Sequence, residues 1–344
     1  MKVLITGVAG FIGSSAAIRF LEDGHQVVGL DNLSRLGNMN NLELLNHSGG
    51  CFRFHRADIR NLSGLEAIFA ADGPFDLILH EAGQVAVTRS IECPAMDFEI
   101  NALGTLNLLE VTRRASRDAT LIYASTNKVY GGLTDLKVLE ADTRYGYVPG
   151  FSGVSESQPI DFHSPYGCSK GCADQYVRDY ARIYGLKTVV FRQSCIYGTR
   201  QFGVEDQGWV AWFAIAAALG RKVVVYGDGK QVRDILWIDD LLDLYCSAAE
   251  RIDVAAGKIY NAGGGSPFSL SILELLHLLQ NDHAKRMDVS FGPWRAGDQK
   301  IFVADCQAAA RDLNWTPKVN PAEGIGRLIA WAEKERELLR SLLG

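Results

Sequence analysis

The sequence has no excess of positive charge: 35 Lys and Arg stand against 40 Asp and Glu, a formal net charge of −5. Nucleic acids and anionic membrane surfaces are bound by a concentrated positive field, so neither is the expected partner. No long apolar run is present either. Trp209–Leu219 falls well short of the roughly 20 residues that a spanning helix needs. Met1–Phe20 has the lysine and small apolar residues of a signal peptide, yet Gly7, Gly10 and Gly13 interrupt it at fixed spacing. That pattern reads as strand, turn and helix. Cysteine is sparse and odd in number, seven in 344 residues, without metal-ligand spacing. Cys168 and Cys172 lie one helical turn apart but no His accompanies them. A disulfide scaffold and a metal site are therefore not expected, and thiols in a reducing cytoplasm are.

Hydrophobic residues make up 47% and charged residues 22%, the balance of a globular chain with ample apolar surface to bury. The length suggests two domains at roughly 150 residues each. In the first half, short β-type runs (Val3–Ile5, Gln26–Leu30, Cys51–Phe54, Phe75–His80, Thr120–Ala124, Thr188–Arg192) alternate with helical stretches such as Phe11–Leu21, Leu62–Phe69, Ala102–Ala115 and Pro165–Tyr184. This alternation predicts a doubly wound parallel sheet covered on both faces. The pattern loosens after Gln193. The expected division is a Rossmann-type domain over 1–192 and a smaller mixed α/β substrate-binding domain over 193–344, with elements interleaved. A single helix is expected over Ala322–Leu343. The irregular stretch Leu133–Ser164 is long enough to suggest a functional loop that shapes the pocket.

The first strand runs into Thr6-Gly7-Val8-Ala9-Gly10-Phe11-Ile12-Gly13, and a helix follows. Glycines at this spacing permit a tight turn and close approach of backbone to a pyrophosphate, which the helix N-terminus then attracts. The second strand ends at Asp31, whose carboxylate suits the adenosine ribose hydroxyls and repels a 2′-phosphate. NAD is therefore favoured over NADP, with Arg35 as the counterweight.

Tyr166-Gly167-Cys168-Ser169-Lys170 is a Tyr-x-x-x-Lys pair, and so is Tyr226-Gly227-Asp228-Gly229-Lys230. Context separates them. Ser164-Pro165 opens a helix, so Tyr166 and Lys170 share one face, whereas glycines surround the second pair. A free phenol titrates near 10, and a lysine ammonium plus a helix N-terminus would favour phenolate.

Together these motifs resemble the extended short-chain dehydrogenase/reductases, and within them the nucleotide-sugar epimerases. The resemblance implies that Thr126 completes a catalytic triad with Tyr166 and Lys170. It implies that Gly7, Gly10, Phe11, Ile12, Gly13, Asp31, Asn32, Asp58, Ile59, Ala82, Gln84, Asn101, Tyr166 and Lys170 hold NAD. Asn101 is similar to that family's helix-kinking Asn. Segments 125–131, 161–171, 197–202, 206–210 and 229–234 resemble the branch acting at carbon 2 of CDP-linked hexoses. That implies substrate contacts from Thr126, Asn127, His163, Ser194, Gln201, Arg233, Arg295 and Asp298, with the two arginines on the diphosphate. Asn127-Lys128 stand where 4,6-dehydratases carry an acid/base carboxylate pair, which argues against water elimination. The resemblance thus implies redox-neutral epimerisation of a nucleotide sugar with bound NAD, in a cytoplasmic homodimer or homotetramer serving polysaccharide biosynthesis. A UDP-sugar 4-epimerase and a non-catalytic NAD-sensing regulator remain as alternatives.

Overall fold

The structure, a computed structural model, describes residues 1–282, 287–295 and 298–343. Ala296 and Gly297, part of the 295–298 segment quoted for the substrate side, lie outside the described residues.

Seven strands form one parallel sheet: β1 (Lys2–Thr6), β2 (Gln26–Asp31), β3 (Cys51–Arg56), β4 (Leu77–His80), β5 (Thr120–Thr126), β6 (Lys187–Gln193) and β7 (Lys258–Ala262). Their order is β7-β6-β5-β4-β1-β2-β3. Every neighbouring pair is parallel, and Ile5 of β1 lies between Gly29 and Leu79. Successive side chains on a strand point to opposite faces. Val3 and Ile5 accordingly join one buried cluster with Phe20 and Tyr245, and Leu4 joins the other with Leu65, Leu108 and Val177. Covering helices include α1 (Phe11–Glu22), α2 (Gly104–Ala115), α3 (Ser164–Tyr184) and α4 (Ile238–Glu250). The strand order reverses between β1 and β4, which opens a crevice above their C-terminal ends, the place where doubly wound sheets bind ligands.

The second half is threaded into the first. β7 completes the sheet beside β6, and α4 packs in the same core as β1. A smaller sheet pairs Val232–Trp237 with Cys195–Tyr197, Ser269–Ser271 and Ile301–Phe302. The expected single helix at the C-terminus is two, Pro321–Lys334 and Arg336–Leu343. The break at Glu335 lets Arg336 donate to the Ala218 carbonyl at 2.7 Å and Leu339 bury against Ile215. Trp209–Leu219 is a core helix, and among the described residues no helix is long and apolar enough to cross a membrane.

Leu133–Ser164 departs from expectation. It carries a hairpin, Val138–Glu140 with Tyr145–Tyr147, and a bridge from Val154 to Ala304. Tyr145 packs with Val232, Ile301 and Val303, so burial of these apolar residues pins the segment to the smaller sheet. None of its residues lines either cavity described below.

Candidate active site

The turn after β1 is built on two close approaches. Gly7 has φ +69°, and a Cβ there would lie 2.7 Å from the Ala82 nitrogen. A Cβ on Gly13 would lie 2.2 Å from the Gly7 carbonyl oxygen. Only glycine permits this packing of strand, turn and helix. Gly10 caps α1 and no side chain bonds the first-turn N–H groups, which leaves them for an anion. Gly7, Gly10, Phe11, Ile12 and Gly13 line a cavity of about 330 Å³ that reaches Tyr166 and Lys170.

Asp31 is buried beside this turn, where burial raises its pKa. It accepts from the backbone of Ala9 at 3.1 Å and of Leu33 at 2.7 Å, and from Asn38 at 3.1 Å. It thus shapes the turn as well as offering the remaining lone pairs. Arg35 lines the cavity close by. These residues fit a dinucleotide: a side-chain-free cradle, an uncapped helix end and a carboxylate at the second strand's end.

Other residues assigned to the cofactor do not line this cavity, because their polar atoms bond one another. Asn101 lies in a single π-helical turn, Glu99–Leu103, that leads into α2. Its amide donates to the Gln84 carbonyl at 3.0 Å and to Ser169 at 3.0 Å, and its carbonyl accepts from the Gln84 nitrogen at 2.9 Å. Gln84 also donates to buried Asp97 at 2.7 Å. Asn101 and Gln84 therefore hold the loop after β4 against α3. Ala82 donates to the Thr6 hydroxyl. Asn32 and Arg60 bond Asp58 at the sheet's edge, and those bonds hold its carboxyl well below the usual range. Ile59 is buried against Gly104.

Tyr166 lines both the cofactor cavity and a second one of about 310 Å³ that also meets Thr126, Asn127, Arg233, Arg295 and Asp298. Ser164, at φ +64°, caps α3 by accepting from the Gly167 nitrogen. Tyr166 follows after Pro165, and the Thr126 hydroxyl at the end of β5 acts to lower the pKa of its phenol. The expected lowering of the phenol pKa is not found. Burial pushes it up to about 12, against the effect of Thr126. Lys170 instead donates to the Ala124 carbonyl and sits 4.3 Å from the centre of the Tyr123 ring. Burial pushes its ammonium down to about 8.

The second Tyr-x-x-x-Lys pair is pulled apart as its context predicts. Tyr226 ends a strand, and Lys230 pairs with Glu140 at 2.8 Å. Tyr226 nevertheless lines the second cavity, with the Arg295 guanidinium 4.0 Å above its ring. Sequence reasoning missed that role, since nothing local marks a strand-end aromatic as pocket wall.

The substrate assignments need correction in part. Arg233 and Asp298 pair with each other at 2.8 Å, so the acid orients the guanidinium with one oxygen. Ser194 gives its hydroxyl to Asp234, and Gln201 gives its amide to the Ile196 carbonyl; both line the cofactor cavity, not the second one. His163 lies outside both cavities, half exposed and 3.0 Å from Asp161, because the chain turns sharply at Ser164. Two further residues were missed. Arg200 reaches Ser15 on α1 from the cofactor cavity. Lys128 lines the second cavity, with burial and Arg233 pushing its pKa down to about 8. Among the described residues no cluster could hold a metal ion.

The sequence pattern of the NAD dependent epimerase/dehydratase family matches residues 3–263. The chain belongs to that family. Its members include a CDP-paratose 2-epimerase from Salmonella typhi, 46% identical over 336 residues that span 96% of this chain and 99% of that protein. A UDP-glucose 4-epimerase from Mycolicibacterium smegmatis is 33% identical, spanning 96% and 97%. The solved UDP-glucose 4-epimerase of Thermus thermophilus in complex with NAD superposes with a TM-score of 0.80 at 32% identity, covering 96% of this chain and 99% of that one. The protein is thus an NAD-dependent epimerase on a Rossmann-type sheet.

Proposed function

We propose that the protein inverts carbon 2 of a CDP-linked hexose of the paratose type. The observation that carries this reading is the meeting of two cavities at Tyr166, one lined by the glycine turn and one by Arg233 and Arg295. The near-full-length likeness to the Salmonella typhi enzyme supports the choice of sugar and carbon. Gly7, Gly10–Gly13 and Asp31 would hold NAD, which supplies reversible hydride transfer when bound. Thr126 orients the sugar hydroxyl toward Tyr166, whose oxygen, acting as phenolate, takes up that proton and then, as phenol, returns it. Lys170 provides positive charge beneath. Arg233, steadied by Asp298, and Arg295 neutralise the diphosphate as guanidinium forks do. Asn127 and Lys128 carry no carboxyl group, so these two positions lack the acid/base pair that water elimination needs.

Substrate deuterated at carbon 2 should turn over more slowly and keep its label at carbon 2 of the product. Unlabelled substrate in D₂O should take up none. An isotope effect from carbon 4 alone would assign the chemistry to carbon 4, and solvent uptake would mean proton abstraction beside a carbonyl. The measurement is NMR of the isolated product.

A homodimer belongs to this reading. Ile91, Phe98, Leu103, Tyr176 and Ile183 are all at least 40% exposed on the π turn, the two helices before it and α3. Large exposed apolar side chains on elements that pack together suit a contact between copies. Light scattering should give twice the chain mass, and Ile183→Glu should shift it towards one. A monomeric wild type would discard the dimer. The reading extends to a cytoplasmic enzyme ahead of polysaccharide assembly, which the sugar composition of a strain lacking this chain tests.

A further inference from the structure

Glu81 follows β4 directly and, like Lys170, lines the cofactor cavity. The mechanism above gives it no task. Its Oε1 accepts from the Tyr245 hydroxyl at 2.7 Å, and Gln193 donates to that hydroxyl in turn at 2.5 Å. Tyr245 is fully buried on α4 and Gln193 ends β6, so the carboxylate is anchored from two elements of the core. Two residues further on, a Cβ at Gly83 would lie 3.9 Å from Lys170 Nζ, which brings this loop against the ammonium.

Three carboxylates raise the Lys170 pKa through their charge, and two of them are committed elsewhere. Asp174, on the same helix, takes both guanidinium nitrogens of Arg192 at 3.0 and 3.1 Å and the Ser125 hydroxyl at 2.8 Å. Asp97 takes Ser169, Gln84 and Asn101. Glu81 is bonded by the neutral Tyr245 hydroxyl, and among the described residues it forms no direct ion pair. The remaining neighbours of Lys170 are the Ala124 carbonyl and the Tyr123 ring, neither charged. His80, which stands beside Glu81, is kept neutral by burial, its pKa pushed down to about 3.

We propose that Glu81, held by Tyr245, is the counter-ion that keeps buried Lys170 protonated during turnover, a positioning residue that sets the alkaline limit of the reaction. The electrostatics agree. Burial drives Lys170 down and Glu81 is the largest influence raising it, while burial pushes Glu81 up to about 7 against the bond from Tyr245. Lys170 stands one turn along α3 from Tyr166 and lines the same cavity, so losing the Glu81 charge lowers the pH at which activity falls away.

The proposal rests on the epimerase reading, and one measurement is independent of the substrate. With lysine carbon-13-labelled at Cε, the holoenzyme's Lys170 resonance, assigned through Lys170→Met, reports its protonation directly. Glu81→Gln keeps an acceptor for Tyr245 and removes the charge. Its Lys170 midpoint should fall by about one pH unit or more, the usual effect of losing an adjacent opposite charge. The alkaline limb of the kcat profile with the CDP-sugar should move down with it, at unchanged NAD content. Tyr245→Phe keeps the charge but weakens it, and should give a smaller shift in the same direction. An unmoved Lys170 midpoint in Glu81→Gln, or in Tyr245→Phe if the first variant does not fold, overturns the proposal. A moved midpoint in a protein inactive on CDP-sugars would instead reject the substrate assignment and leave the counter-ion standing.

Discussion

Tyr166→Phe is expected to lower kcat by roughly 10²–10⁴-fold, the usual worth of a positioned acid–base group, while the fold and the NAD content stay unchanged. Tyr166 lines both cavities. Its ring is buried, so Phe preserves the packing and removes only the phenol oxygen. Tyr226→Phe is the control. It removes a hydrogen bond of 2.8 Å to Glu205 at the surface and leaves the ring beneath Arg295, so kcat should stay close to wild type. Steady-state kinetics with quantitation of NAD released on denaturation checks both. Equal losses of kcat would show that helical context does not distinguish the two motifs.

Asp174→Asn is expected to destabilise the protein by about 3–5 kcal/mol, the typical result of removing one partner from a buried ion pair. Arg192 and Asp174 are 3% and 1% exposed and bonded through two nitrogens. Without the carboxylate, the guanidinium is left above the Tyr130 ring with its charge uncompensated. The pair also crosses the sheet's layers: Asp174 comes from α3, Arg192 from β6, and Ser125 from the end of β5. Loss of the acid therefore loosens the seat of the residues on either side of it, Thr126 and Lys170. Chemical denaturation followed by circular dichroism measures the change. A loss below about 1 kcal/mol would mean that water reaches Arg192 in the variant.

Much of the fold was legible because local signals agreed with the global one. Strand and helix periods alternate over 1–192, and only a parallel sheet with crossover helices accommodates that alternation. The glycine turn was legible for a harder reason: at Gly7 and Gly13 any side chain would strike backbone. The helix carrying Tyr166 and Lys170 was marked by Ser164-Pro165, and the Ser164 hydroxyl does cap it. By contrast, His163, one residue earlier, was misplaced, since a sharp turn at φ +64° reverses where a neighbouring side chain points.

By itself the sequence determined the sheet, the glycine turn, the shared helix of Tyr166 and Lys170 as against the turn between Tyr226 and Lys230, and the absence of a carboxylate pair at Asn127-Lys128. These rest on chemistry within a few residues, where spacing along the chain is spacing in space. Only the tertiary structure decided that Leu133–Ser164 braces the smaller sheet without lining a cavity, and that Asn101 and Gln84 lock a loop. It alone decided that Arg233 meets Asp298, 65 residues away, and that Glu81 meets Tyr245, 164 residues away. It also set the charge behaviour of Tyr166 and Lys170. Burial is a property of everything packed around a group, and no segment of the chain carries it alone.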